Sequence, residues 1–186
     1  KGLAAAQKAL EEIHFYPDGG CYDLSSKIAS IRGVQKEQII IGNGSNEILN
    51  MIAQVFLGEN TEAIMGDHSF AVYKLATLAA NAKIVETPML APDFKFDLKA
   101  MKEAITPKTR IIFLANPNNP TGSELSASAI LDFASSLPPH VILVMDEAYT
   151  EFIESDAPDL LPLIEKGHPI ICCRTFSKIY GLAGLR

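Results

Sequence analysis

The chain of 186 residues carries 16 Lys and Arg against 22 Asp and Glu, a formal charge of −6, with 48% hydrophobic and 20% charged residues. That is about one domain's worth of chain with an ordinary globular composition, and without a Lys/Arg cluster it offers no surface for nucleic acid or an acidic membrane. Cys21, Cys172 and Cys173 give neither an even count nor a C-x-x-C spacing, and His14, His68, His140 and His168 stand singly, so neither a disulfide frame nor a metal site is expected.

In chain order, two helices are predicted first, over residues 3–13 and 22–31, separated by the turn Tyr16-Pro17-Asp18-Gly19-Gly20. Apolar, β-branched runs then alternate with helical patterns. Strands are predicted over 38–41, 62–65, 83–86, 110–115, 141–146 and 170–174, and helices over 46–56, 72–80, 98–105 and 127–137, the last two N-capped by Asp97 and by Ser126 or a neighbour. Such alternation predicts an α/β fold with a mostly parallel sheet in three α/β/α layers. No repeat, low-complexity tract or long linker divides the chain, so residues 1–186 read as one unit. No apolar run approaches the roughly 20 residues that span a bilayer, and the N-terminus has no signal-peptide layout; the expected location is cytoplasmic.

Open α/β sheets bind ligands beyond the carboxyl ends of their strands, and the chemically suggestive residues fall there. Gly42-Asn43-Gly44-Ser45-Asn46 leads into a helix whose first amides suit a phosphate, although a tight glycine turn would look the same. In Asn116-Pro117-Asn118-Asn119-Pro120-Thr121-Gly122 two prolines stiffen the loop and hold Asn119 in a defined pose. Asp146 ends a run, Val141-Ile142-Leu143-Val144-Met145, apolar enough to be buried on both faces, so its carboxylate needs a partner. A protonated heterocyclic nitrogen would serve, with Tyr149 three residues on offering a hydroxyl; a magnesium ligand or a simple cap are the alternatives. Phe70 and Tyr73 share a helical face, and Tyr73 reads as core. Thr175, Ser177 and Arg186 surround Lys178 with two hydroxyls and a guanidinium, a setting for an anion beside an amine that can attack a carbonyl.

Asn119 within N-P-N-N-P-T-G, Asp146 within D-E-A-Y, and Ser177-Lys178 with Arg186 eight residues later together resemble the signature set of the fold-type I pyridoxal-phosphate aminotransferases of class I/II. Tyr16-Pro17-Asp18-Gly19, Gly44-Ser45-Asn46-Glu47 and Thr175-Phe176-Ser177-Lys178 are most similar to the branch acting on histidinol phosphate. The resemblance implies pyridoxal 5′-phosphate bound covalently to Lys178, which also moves the substrate's α-proton. It implies Asp146 on the pyridine nitrogen, Asn119 and Tyr149 on the ring's phenolic oxygen, and Phe70 on its face. The phosphate is implied to lie on Ser45, Asn46, Thr175, Ser177 and Arg186, with Tyr16 reaching it from the partner subunit of a homodimer.

The implied reaction is transamination between L-histidinol phosphate and 2-oxoglutarate in histidine biosynthesis. Ser45-Asn46 stands where some members have Ala-Asp, leaving backbone amides to make that contact. The resemblance also implies that an N-terminal segment, a seventh antiparallel strand and a smaller C-terminal domain belong to the whole protein and lie outside this chain. An aromatic amino-acid aminotransferase or a threonine-phosphate decarboxylase shares nearly every motif. A phospho-acceptor signalling domain or an inactive pyridoxal-phosphate-fold binding module is the reading from another class.

Overall fold

The computed structural model describes residues 2–153 and 156–185. Helices α1 (Gly2–Ala9), α2 (Tyr22–Arg32) and α3 (Ser45–Phe56) lead into β1 (Glu62–Gly66), α4 (Ala71–Ala79) and β2 (Lys83–Thr87). A short hairpin, β3 (Met89–Leu90) and β4 (Lys95–Phe96), precedes α5 (Leu98–Glu103), β5 (Thr109–Ala115), α6 (Ala127–Ser135), β6 (Ile142–Asp146), α7 (Leu161–Glu165) and β7 (Ile170–Cys173). Both predicted caps are present: the Asp97 carboxylate accepts from the Ala100 amide and the Ser126 hydroxyl from that of Ala129.

The main sheet has five strands in the order β2-β1-β5-β6-β7, and every pairing in it is parallel. Its centre is the most apolar part of the chain: Ile111, Ile112, Phe113 and Leu114 of β5 and Leu143, Val144 and Met145 of β6 are fully buried. Strands covered on both faces read as continuous apolar runs rather than alternating ones, which is why β5 and β6 are legible in the sequence. The chain leaves β1 toward β2 on one side and then crosses to β5 and onward on the other. The switch point therefore lies between the carboxyl ends of β1 and β5, where ligands bind in sheets of this kind.

One predicted strand is absent. Residues 38–41 do not join either sheet: Lys36–Gln38 forms a 3-10 turn and Ile39 is extended, with Ile40 74% exposed. Three consecutive isoleucines favour extended backbone, but a strand also needs a neighbour to complete its ladder, and these find none among the described residues. The β3–β4 hairpin, in contrast, gave no periodic signal in strands only two residues long. It folds over the end of β1, where a Cβ on Gly66 would sit 2.7 Å from the Met89 sulfur and 2.9 Å from Phe96 Cε1. Gly66→Ala is expected to destabilise the protein by about 1–3 kcal/mol through overpacking, read as a lower urea midpoint at unchanged slope.

Candidate active site

Asp146 is the last residue of β6, in register with Ala115 of β5 and Cys173 of β7. Ladder bonds hold it there, since its carbonyl accepts from the Asn116 amide at 3.1 Å. The side chain is 5% exposed. Its Oδ2 accepts from the Tyr73 hydroxyl at 2.8 Å and its Oδ1 from the Ala148 amide at 3.1 Å. Among the described residues no cation forms an ion pair with it. Burial pushes the Asp146 carboxyl above its usual range, while Tyr73, the Ala148 amide and the nearby Lys178 charge pull it down.

Lys178 follows β7 in the loop Thr175-Phe176-Ser177. This loop is shaped locally: the Thr175 hydroxyl donates to Ser177 Oγ at 3.0 Å and accepts from the Ser177 amide at 3.1 Å, and the Leu182 amide returns to the Phe176 carbonyl. Lys178 is exposed, with its Nζ 5.1 Å from the centre of the half-buried Tyr149 ring. The carboxyl ends of β6 and β7 are clamped together just beside it. Arg174 Nε donates to Glu147 Oε2 at 2.6 Å, and the Glu147 amide donates to the Cys173 carbonyl at 2.8 Å. Glu147 is itself buried, and that burial raises its carboxyl despite the opposing pull of Arg174.

The three asparagines of the stiff loop divide their work. Asn116 is buried and ties the loop shut, its Oδ1 accepting from the Leu125 amide at 2.8 Å. Asn118 donates to the His68 carbonyl at 2.9 Å, which bridges the ends of β5 and β1 across the switch point, and to Thr121 Oγ1 at 2.8 Å. Its Oδ1 is buried without a hydrogen-bond partner among the described residues. Asn119 is half-buried, and its amide has no protein partner among the described residues. The β3–β4 turn braces this loop, for the Phe94 carbonyl accepts from Ser123 Oγ at 2.9 Å.

On the other side of the switch point, Phe70 precedes α4 and meets Tyr73 edge-on, with ring centres 5.7 Å apart. Ser45 and Asn46 open α3, and Gly44 before them takes the positive φ of 79° that the entry to the helix requires. The first amides of a helix have no intrahelical acceptor, so this end remains an anion-binding feature although no sheet strand precedes it. α3 packs beside β7, the strand that leads into the Lys178 loop. Tyr16 is 99% exposed. Arg186 lies outside the described residues.

Tyr73 is the one member of this constellation that sequence reasoning assigned only to the core. A signal for it existed: a fully buried tyrosine needs a partner for its hydroxyl, and a buried carboxylate at a strand end needs donors. Neither requirement alone identifies the other residue, because α4 and the end of β6 meet only in the folded sheet.

The chain matches the model of the aminotransferase class I and II family over residues 2–186. It belongs to that family. It is 45% identical over 187 residues to histidinol-phosphate aminotransferase 1 of Dechloromonas aromatica and 42% identical over 186 residues to histidinol-phosphate aminotransferase of Moorella thermoacetica, covering 100% and 99% of this chain but 51% and 48% of those proteins. A crystal structure of histidinol-phosphate aminotransferase from Sinorhizobium meliloti in complex with pyridoxal-5′-phosphate superposes with a TM-score of 0.91 at 30% identity, over 99% of this chain and 50% of that one. The chain thus spans about half the length of the aminotransferases it resembles.

Proposed function

We propose that this chain is the cofactor-binding part of a pyridoxal-phosphate-dependent aminotransferase that moves an amino group between L-histidinol phosphate and 2-oxoglutarate. The observation that carries the proposal is the buried Asp146 carboxylate, hydrogen-bonded among the described residues by the neutral donors Tyr73 and Ala148 and close to the Lys178 amine. A buried anion without a cation is costly, and a protonated pyridine nitrogen supplies the missing charge. The other groups fit the same ligand. The free Asn119 amide and the Tyr149 hydroxyl suit a phenolic oxygen, Phe70 suits a ring face, and the start of α3 with Thr175 and Ser177 suits a phosphate.

When bound, pyridoxal phosphate supplies an electron sink for the charge left at the substrate α-carbon. The chain's own residues do the rest. Lys178 would hold the cofactor's aldehyde carbon through its amine, and the same amine, when free, would take the proton from the substrate α-carbon and deliver it to the cofactor's C4′ carbon. Asp146 would pair as a carboxylate with the protonated ring nitrogen. Asn119 and Tyr149 would hydrogen-bond the ring's phenolic oxygen, while Ser45, Asn46, Thr175, Ser177 and Arg186 would anchor the phosphate.

Homodimerisation belongs to the same proposal, with Tyr16 of each subunit reaching its partner's phosphate. The exposed apolar side chains around it, Leu10, Ile13 and Phe15, support a covered surface there. The substrate assignment is supported by the relatives' identity along the whole of this chain. Against the phospho-acceptor alternative stands the aminotransferase family match over residues 2–186.

The substrate test uses the intact protein loaded with pyridoxal phosphate. Glutamate should form from 2-oxoglutarate faster with L-histidinol phosphate than with phenylalanine or tyrosine. Carbon dioxide released from threonine phosphate without glutamate formation would place the protein with the decarboxylases instead.

A further inference from the structure

Tyr73 heads the largest side chains that are fully buried among the described residues. Its ring lies parallel to Phe113 at 4.8 Å and edge-on to Phe70 at 5.7 Å. Phenylalanine would serve that packing, so the hydroxyl needs its own reason, because burying it costs free energy unless it is bonded. It is spent on Asp146 Oδ2, while the Ala148 amide takes Oδ1. Each carboxylate oxygen therefore keeps a lone pair for a further donor. Both present donors are neutral. A lysine or arginine in Tyr73's place would satisfy the carboxylate's charge outright, whereas a phenol stabilises the ionised form and leaves its charge unspent.

The bond also has a geometric consequence. Tyr73 belongs to α4, which follows β1, while Asp146 ends β6, and β5 lies between those two strands. One phenol thus fixes the carboxylate relative to Phe70 across the switch point.

We propose that Tyr73 is a positioning residue: by donating to Oδ2 it sets the plane of the Asp146 carboxylate and keeps it ionised, with its charge free for a cationic ring nitrogen. This inference rests on the pyridoxal-phosphate reading of Asp146. The titratable groups that act on the pair are Cys173 of β7, whose thiol burial pushes well up, and Lys178.

The test begins with the intact, ligand-free protein, by following the Asp146 carboxyl with carbon-13 NMR as pH is varied, the signal being assigned by its loss in Asp146→Asn. Tyr73→Phe keeps the ring and should raise the Asp146 midpoint by about one to two pH units, since a donor to the charged form has been removed. An unmoved midpoint overturns the proposal. Should Tyr73→Phe fail to fold, the unaltered protein still decides: the buried phenol proton should give a downfield signal that shifts in Asp146→Asn, and an unshifted signal overturns the bond.

Pyridoxal-phosphate affinity adds a test that a structural role would not pass. Tyr73→Phe should weaken binding about tenfold when Asp146 is present and have no further effect in the Asp146→Asn background. Equal losses in both backgrounds assign Tyr73 to packing alone. If the midpoint shifts as expected but the unaltered protein forms no chromophore with pyridoxal phosphate, the cofactor reading falls while the Tyr73–Asp146 couple stands.

Discussion

Lys178→Ala is expected to leave the intact protein colourless after incubation with pyridoxal phosphate, where the unaltered protein turns yellow and is bleached by borohydride. The reason is chemical: only the Lys178 amine, 5.1 Å from the Tyr149 ring and within electrostatic reach of Asp146, is assigned to hold the cofactor's aldehyde carbon. Transamination should fall by at least about 10³-fold, because the same amine is proposed as the general base at the α-carbon. Lys178→Arg preserves the charge but not the nucleophile, and so should fail equally. Stability should hardly change, since Lys178 is exposed and its amine makes no hydrogen bond among the described residues, while the carbonyl that accepts from the Gly181 amide is kept in the variant. A chromophore that persists in Lys178→Ala and survives borohydride would assign the attachment to another amine. A protein that stays colourless without any substitution, yet accepts a phosphoryl group on an aspartate, would overturn the cofactor reading altogether.

The parts of this site that were legible in the sequence are those whose chemistry is local. Lys178, Asp146 and Asn119 each end or follow a strand and sit in a short motif that ordinary turns do not require. The strands leading to Asn119 and Asp146, β5 and β6, are legible because burial on both faces leaves an unbroken apolar run. Ile39-Ile40-Ile41 shows the limit of that signal: backbone preference gave the extended conformation there, but pairing depends on a neighbour that the local sequence does not name. The β3–β4 hairpin failed in the opposite way. Two-residue strands have no periodicity to read, and the role of their turn, bracing the Asn116–Gly122 loop through the Phe94 carbonyl, is a long-range contact. α7 was missed for a similar reason, being only five residues long with a proline in its first turn. Tyr73 combines both difficulties, because its helix was found while its partner lay 73 residues away.

Asp146→Asn separates what the carboxylate costs the fold from what it gives the chemistry. Asparagine keeps the shape and still offers an oxygen to the Tyr73 hydroxyl, but it cannot carry the charge that keeps a ring nitrogen protonated. Exchange of the substrate α-proton should therefore slow by about 10²–10³-fold, the cost of removing one preorganised electrostatic group, while some cofactor binding survives. The fold should respond in the other direction. Burial raises the Asp146 carboxyl above its ordinary value of 3.8, so in the ligand-free protein this group contributes most to stability at pH values below 3.8, and that contribution is lost as pH rises through the raised value. Asparagine does not titrate. The urea midpoint of the ligand-free protein should thus move in favour of Asp146→Asn, relative to the unaltered protein, as pH is raised from below 3.8 toward neutrality. Loading with pyridoxal phosphate should reverse the order near neutral pH, because the ring nitrogen then supplies the cation that the buried carboxylate lacks. Full α-proton exchange in Asp146→Asn would show that the ring nitrogen is held by another group. A stability difference that does not change with pH would mean that the carboxylate is solvated rather than sealed beneath Tyr73.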